Sequence, residues 1–160
     1  MTAQFSEKLI YKGDEIDLCE EPLRLYLESK FKDFKFQAPS TALWRGYRGT
    51  WSIEGDRLYL VKLNGYRATP AGMVKVELED IFPDFPDGVF AHWYTGELRC
   101  PMGGLLEYVH GGYDSRYEKD MFLSMEKGQL ISERIVNNGQ AEPDASQGYQ
   151  IGASTSFGRK

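Results

Sequence analysis

The 160-residue chain has only two cysteines, Cys19 and Cys100, and two histidines, His92 and His110. Two cysteines far apart, without CxxC spacing, make neither a disulfide scaffold nor a zinc ribbon, so apolar packing has to carry the core. Two histidines and no HExxH sequence leave a metal centre short of ligands unless Asp114 or Glu107 completes a set, and no metal or other cofactor is expected. Phosphate-loop and dinucleotide fingerprints are missing too. Gly103-Gly104 and Gly111-Gly112 punctuate strands and lack the strand-then-helix setting that cradles phosphates. No apolar run reaches the length of a signal peptide or a membrane span, so a cytoplasmic protein with reduced thiols and no membrane partner is expected. Positive charge is also short. Residues 1–80 carry 12 basic and 13 acidic side chains, residues 81–160 carry 7 and 11, and the formal net charge is −5. Neither half has the basic surplus that phosphate neutralisation needs, so nucleic acid is not an expected partner.

Glycine and aromatic residues are what the chain has in quantity, with 17 glycines and 14% Phe, Trp and Tyr, a composition that favours strands joined by many turns. KLIYKGDEIDL, residues 8–18, reads as a hairpin turning at Gly13-Asp14 with glycine first, as a type II′ turn prefers. Glu20-Glu21-Pro22 then opens a helix over 21–33, with acidic residues at the positive end of its dipole. Its apolar stripe is Leu23, Tyr26, Leu27, Phe31 and Phe34. Gly55-Asp56 separates WSIE from RLYLVKL, the clearest hairpin, and RLYLVKL is apolar on both faces, as a central strand is. Gly46 and Gly49 interrupt the preceding strand and predict a bend or close approach. Residues 65–72 read as a loop, and MVKVEL at 73–78 as a strand with Val74, Val76 and Leu78 inward. The proline-broken stretch 79–88 excludes a regular element and offers Phe82 and Phe85 as core plugs. Residues 121–136 form a last hairpin turning at Lys127-Gly128, with Met121, Leu123 and Met125 inward.

Residues 89–113 hold both histidines, Cys100, Trp93 and three tyrosines, and read as two consecutive hairpins turning at Thr95-Gly96 and at Pro101-Met102-Gly103. Together these elements predict a mainly β (α+β) domain over residues 1–138. It is an antiparallel meander of about eight to ten short strands, curled into a barrel-like or strongly bent sheet with one N-terminal helix packed on it. Residues 139–160, poor in aliphatics, read as an irregular tail in which Tyr149, Ile151 and Phe157 could dock.

Three groups bear chemistry. Cys100, His110 and Asp114 have the makings of a nucleophile, base and orienting carboxylate, the basis of a hydrolase reading. A cysteine on an inward strand face is ordinarily a small buried hydrophobe. Trp44, Arg45, Tyr47 and Arg48 form an aromatic–arginine run, the composition of many binding surfaces. Strand alternation puts Arg45 and Arg48 on opposite faces, so one of them is expected to serve a partner and the other not. His92, Trp93, Tyr94, His110 and Tyr113 complete the expected binding set, with Trp44, Arg45 and Arg48.

The runs WRGYRGTWSIEGDRLYL, IFP and VFAHWYTGELRCPMGGLLEYVHGGYDSRYEKDMFL resemble a family of small bacterial proteins for which no activity is established. The resemblance covers about residues 8–138 and transfers no catalytic residue. It implies a bacterial or phage-borne cytosolic protein. By analogy of type, small proteins of this style act by binding, as immunity proteins do when they neutralise a toxin. The sequence thus points first to a non-enzymatic binding module for a protein partner or small ligand. The alternatives are a small hydrolase using His110 with Cys100 or Asp114, and an assembly subunit, a homo-oligomer built through sheet edges or the tail.

Overall fold

The computed structural model describes residues 3–30 and 35–143. Its elements run β1 (Glu7–Tyr11), β2 (Asp14–Leu18), α1 (Leu23–Lys30), β3 (Tyr47–Glu54), β4 (Arg57–Thr69), β5 (Gly72–Glu77), α2 (Leu78–Ile81), β6 (Val89–Phe90), β7 (Gly96–Glu107), β8 (Arg116–Glu126) and β9 (Gln129–Asn137). The protein is mostly β, as its glycine- and aromatic-rich composition predicts. Three hairpin turns each place two consecutive residues at positive φ: Lys12-Gly13 at 52° and 86°, Gly55-Asp56 at 58° and 61°, and Lys127-Gly128 at 49° and 81°. Paired positive φ values define the type I′ turn, whose twist matches that of the strands it joins. The first turn therefore centres on Lys12-Gly13, one residue before the expected position, because Tyr11 pairs with Asp14.

The strands form one mixed sheet in the order β2-β1-β3-β4-β9-β8-β7, with β5 and β6 also laid along β4. It is not an all-antiparallel meander, since β1 and β3 are parallel. The chain through α1 and residues 35–46 crosses over before β3 comes in beside β1. Strands β4 and β9 share a single pair, Arg57 with Gln129, flanked by Leu58 N–H to Gly128 O and Leu130 N–H to Asp56 O, both 2.8 Å. At the two ends of the path Cys19 N–H donates to Arg99 O at 2.8 Å. The sheet therefore bends back until its ends touch through this bond, and it is not closed into a barrel. Leu9, Trp51, Leu58, Leu60, Leu63, Leu98 and Leu123 fill the space inside, fully or almost fully buried, and Met121 and Met125 alternate inward as expected.

Several local readings change. Helix α1 has eight residues; Leu23 is fully buried, Tyr26 and Leu27 pack on the core partly exposed, and Phe31 and Phe34 lie outside the described residues. The expected loop at 65–72 is mostly strand, with only a tight turn at Pro70-Ala71, because Asn64 to Thr69 pair with Gly72 to Glu77. Val76 and Leu78 are buried while Val74 is 38% exposed, near the projecting tip of that hairpin. Inside 79–88 a one-turn helix, α2, does form: Asp80 accepts from Glu77 N–H at 2.7 Å, so a capping box supports the single turn before Pro83. Phe82 is buried, but Phe85 is 51% exposed rather than a core plug.

The largest change concerns residues 89–113. Phe90 and Val89 pair with Tyr59 and Leu60 of β4, residues 91–95 make a connecting turn, and Gly96–Glu107 is one long strand on β8. Pro101 sits within that strand opposite Asp120. Gly103, at φ 84°, falls where the register shifts between Met102 and Leu105, so a bulge takes the place of the expected turn. Of the tail, residues 144–160, with Tyr149, Ile151 and Phe157, lie outside the described residues; Ala141 N–H donates to Glu118 Oε2 at 2.7 Å.

Candidate binding surface

Six of the eight expected binding residues fall into two groups. The first surrounds Glu7, whose side chain is fully buried at the start of β1. Arg45 Nε and Nη2 donate to Glu7 Oε2 at 3.0 and 2.8 Å, Gly49 N–H donates to the same oxygen at 2.9 Å, and Trp51 Nε1 donates to Oε1 at 2.9 Å. Gly49 is required here, because a Cβ on it would lie 2.6 Å from Glu7 Oε1. Arg45 Nη1 approaches Glu21 Oε2 at 3.9 Å, and Tyr113 OH donates to that oxygen at 2.7 Å. Arg48 donates twice to Ser6 O, at 3.1 and 3.0 Å, and lies over Phe5.

Burial drives the Glu7 carboxyl above its ordinary value, while the Arg45 guanidinium and the Trp51 and Gly49 donors pull it back. All its partners donate, which suits the ionised form. Burial alone would lower the Arg45 guanidinium, and the Glu7 carboxylate reverses this and raises it. Burial also raises the Tyr113 phenol, with Arg45 opposing. Arg45 Nη1 and Tyr47 OH are buried donors with no hydrogen-bond acceptor among the described residues. Arg45 precedes β3, so strand alternation does not govern it: its side chain is 8% exposed and locked on Glu7, while Arg48 is held on Ser6. This cluster ties β1 to β3 and to the N-terminal end of α1.

The second group is an aromatic band. Tyr59 and Phe90 rings lie 5.8 Å apart, Phe90 and His92 6.4 Å, and His92 and Trp93 5.5 Å edge-on. Trp93 stacks on Phe82 at 5.8 Å and meets Tyr26 at 4.7 Å. Arg57 lies 5.3 Å over Phe90. His92 is exposed, and Tyr59, Phe90, Trp93 and Tyr26 are half-buried. The rings are firmly mounted. Ala91 N–H donates to Leu58 O at 2.8 Å, Gly128 N–H to Tyr94 O at 2.8 Å, and Trp93 Nε1 to Pro22 O at 2.8 Å. Tyr94 lies 4% exposed beneath this turn. A row of partly exposed aromatic rings on a braced turn suits recognition through large contacts that cost little side-chain entropy.

The remaining candidates lie elsewhere. Trp44 is 50% exposed beside Gln4, which accepts its backbone N–H at 2.8 Å. His110 is exposed and packs edge-on against Tyr108 at 4.6 Å. Asp114 sits by Gly111 in the following loop. Cys100 is fully buried in β7, opposite Met121, and burial pushes its thiol up to about 12, away from the thiolate a nucleophile needs. Among the described residues no three His, Cys, Asp or Glu side chains gather as a metal site. Sequence reading missed Glu7, which sits as an ordinary acid before an apolar run, and it missed Tyr26 and Phe82 as neighbours of Trp93 and Tyr59 as the neighbour of Phe90. Only their pairing across elements brings them together.

Fold and surface together define an open, mostly β mixed sheet that carries a surface row of aromatic rings. No protein-family model, curated protein or solved structure matches the chain.

Proposed function

We propose that this is a cytoplasmic, non-enzymatic binding module that holds a protein partner on the aromatic band, in the manner of an immunity-type protein neutralising its target. One observation carries the reading: the continuous run of partly exposed rings from Tyr59 through Phe90 and His92 to Trp93, fixed by backbone hydrogen bonds. Rigid aromatic anchors supply most of the binding energy in many interfaces. The hydrolase reading has less behind it, because its thiol is buried and held protonated. The test is capture from a bacterial lysate by the immobilised full chain, compared with a Phe85→Ala/His92→Ala variant: His92 lies in the run, Phe85 lies in the loop whose Phe82 stacks on Trp93, and both are exposed. A partner retained by the wild-type chain and lost by the variant supports the reading. A partner retained equally by both removes the band from it.

Ile131 and Ile135, 61% and 54% exposed on β9, favour a second reading, assembly into a homo-oligomer through that strand's exposed apolar side chains. Light scattering of the wild-type chain and an Ile135→Lys variant decides it. A wild-type oligomer that the variant dissolves supports assembly, and a wild-type monomer excludes it.

A further inference from the structure

We propose that the segment of the partner that meets this surface is cationic, an arginine- or lysine-bearing stretch of protein. The inference rests on the binding-module reading and names the chemistry that reading leaves open. The band continues into the loop after α2, where Phe82 stacks beneath Trp93 and Phe85 stands 51% exposed. Residues 77–87, which include this loop, carry Glu77, Glu79, Asp80, Asp84 and Asp87; all five are exposed, and the stretch contains no basic side chain. Among the described residues none of the five forms an ion pair. Val61, Lys62, Glu77, Glu79 and Pro86 help line a concavity of about 170 Å³, in which Lys62 is the one cation.

Exposed rings at Phe85 and His92 and exposed carboxylates in the loop that carries Phe85 suit a guanidinium or ammonium, which stacks on a ring and donates to an acid. The protein already shows one such contact, Arg57 over Phe90 at 5.3 Å. An anionic partner would meet carboxylates on this stretch with no cation in the segment to balance them, and like charges brought together at an interface are costly. Charge complementarity therefore selects a basic protein segment as the occupant.

The experiment uses the full ¹⁵N-labelled chain and two defined probes, an Arg-Gly repeat peptide and a Glu-Gly repeat peptide of equal length. The Arg-Gly peptide is expected to shift amide resonances of residues 82–93, more weakly as salt rises, and the Glu-Gly peptide to leave them unchanged. Asp84→Asn/Asp87→Asn, changed at exposed positions so that folding is kept, is expected to weaken the Arg-Gly peptide about tenfold. The proposal is overturned if the Arg-Gly peptide leaves these amides unmoved, if the Glu-Gly peptide moves them equally, or if the double variant binds as the wild type does. A captured partner that depends on Phe85 and His92 but ignores the Asp84 and Asp87 changes also overturns it and leaves the binding-module reading standing. A partner that ignores Phe85 and His92 removes the band from the binding-module reading, and this proposal falls with it.

Discussion

Glu7 shows how one residue sets the local architecture. Its carboxylate collects donors from Arg45, Gly49 and Trp51 and has no exposure to water. Glu7→Gln keeps the shape but faces Arg45 with an amide and leaves its buried guanidinium only the more distant Glu21 carboxylate, 3.9 Å from Nη1, as a counter-charge. The expected loss is about 3–5 kcal/mol in urea unfolding, the range for breaking one side of a buried pair. A loss below about 1 kcal/mol would show that the pair adds little. Tyr47→Phe makes the opposite prediction, because the Tyr47 hydroxyl is buried without an acceptor among the described residues. Its removal should be neutral or stabilise by up to about 2 kcal/mol, and a clear loss would reveal an acceptor after all. Cys100 gives a pH prediction. Burial raises its thiol from the ordinary 9.0 to about 12, so the folded chain favours the protonated form. The stability this contributes is complete below the ordinary value and is lost as pH rises through about 12. The urea midpoint should fall across that alkaline window, less steeply in Cys100→Ser. Equal slopes in the two proteins would contradict the assignment.

At the scale of elements, the sequence was most legible where local chemistry decides. Gly55-Asp56 and Lys127-Gly128 turn where their dipeptides say, and Met121, Leu123 and Met125 point inward because a half-buried strand alternates. It was least legible where pairing across the chain decides. Val89–Phe90 looked ready to pair with the next segment, yet β4 claims it, and Pro101 looked like a strand end, yet a bulge keeps it in β7. The site divides the same way. His92 and Trp93 were visible as aromatic neighbours, whereas the burial of Arg45 depends on Glu7, 38 residues away. Helix α1 is held chiefly through Leu23, its one fully buried apolar side chain. Leu23→Ala should cost about 2–5 kcal/mol and Leu27→Ala less, since Leu27 is only partly buried. Equal costs in denaturant melts would show that the helix is seated on a different face.

The whole molecule places its two polar and aromatic assemblies in different roles. The Glu7 cluster lies inside and joins β1, β3 and α1, and the aromatic band lies at the surface, where β4, β6, the 91–95 turn and α1 meet. The central claim is that the protein works through the band and not through its thiol or its imidazoles as catalysts. Titration calorimetry of the captured partner against four folded proteins tests this most directly: the wild type, Cys100→Ser, His110→Ala and Phe85→Ala/His92→Ala. The account predicts that Cys100→Ser and His110→Ala bind as the wild type does and that the band variant loses about tenfold or more in affinity. Wild-type affinity in the band variant, with function abolished by Cys100→Ser or His110→Ala, would contradict it.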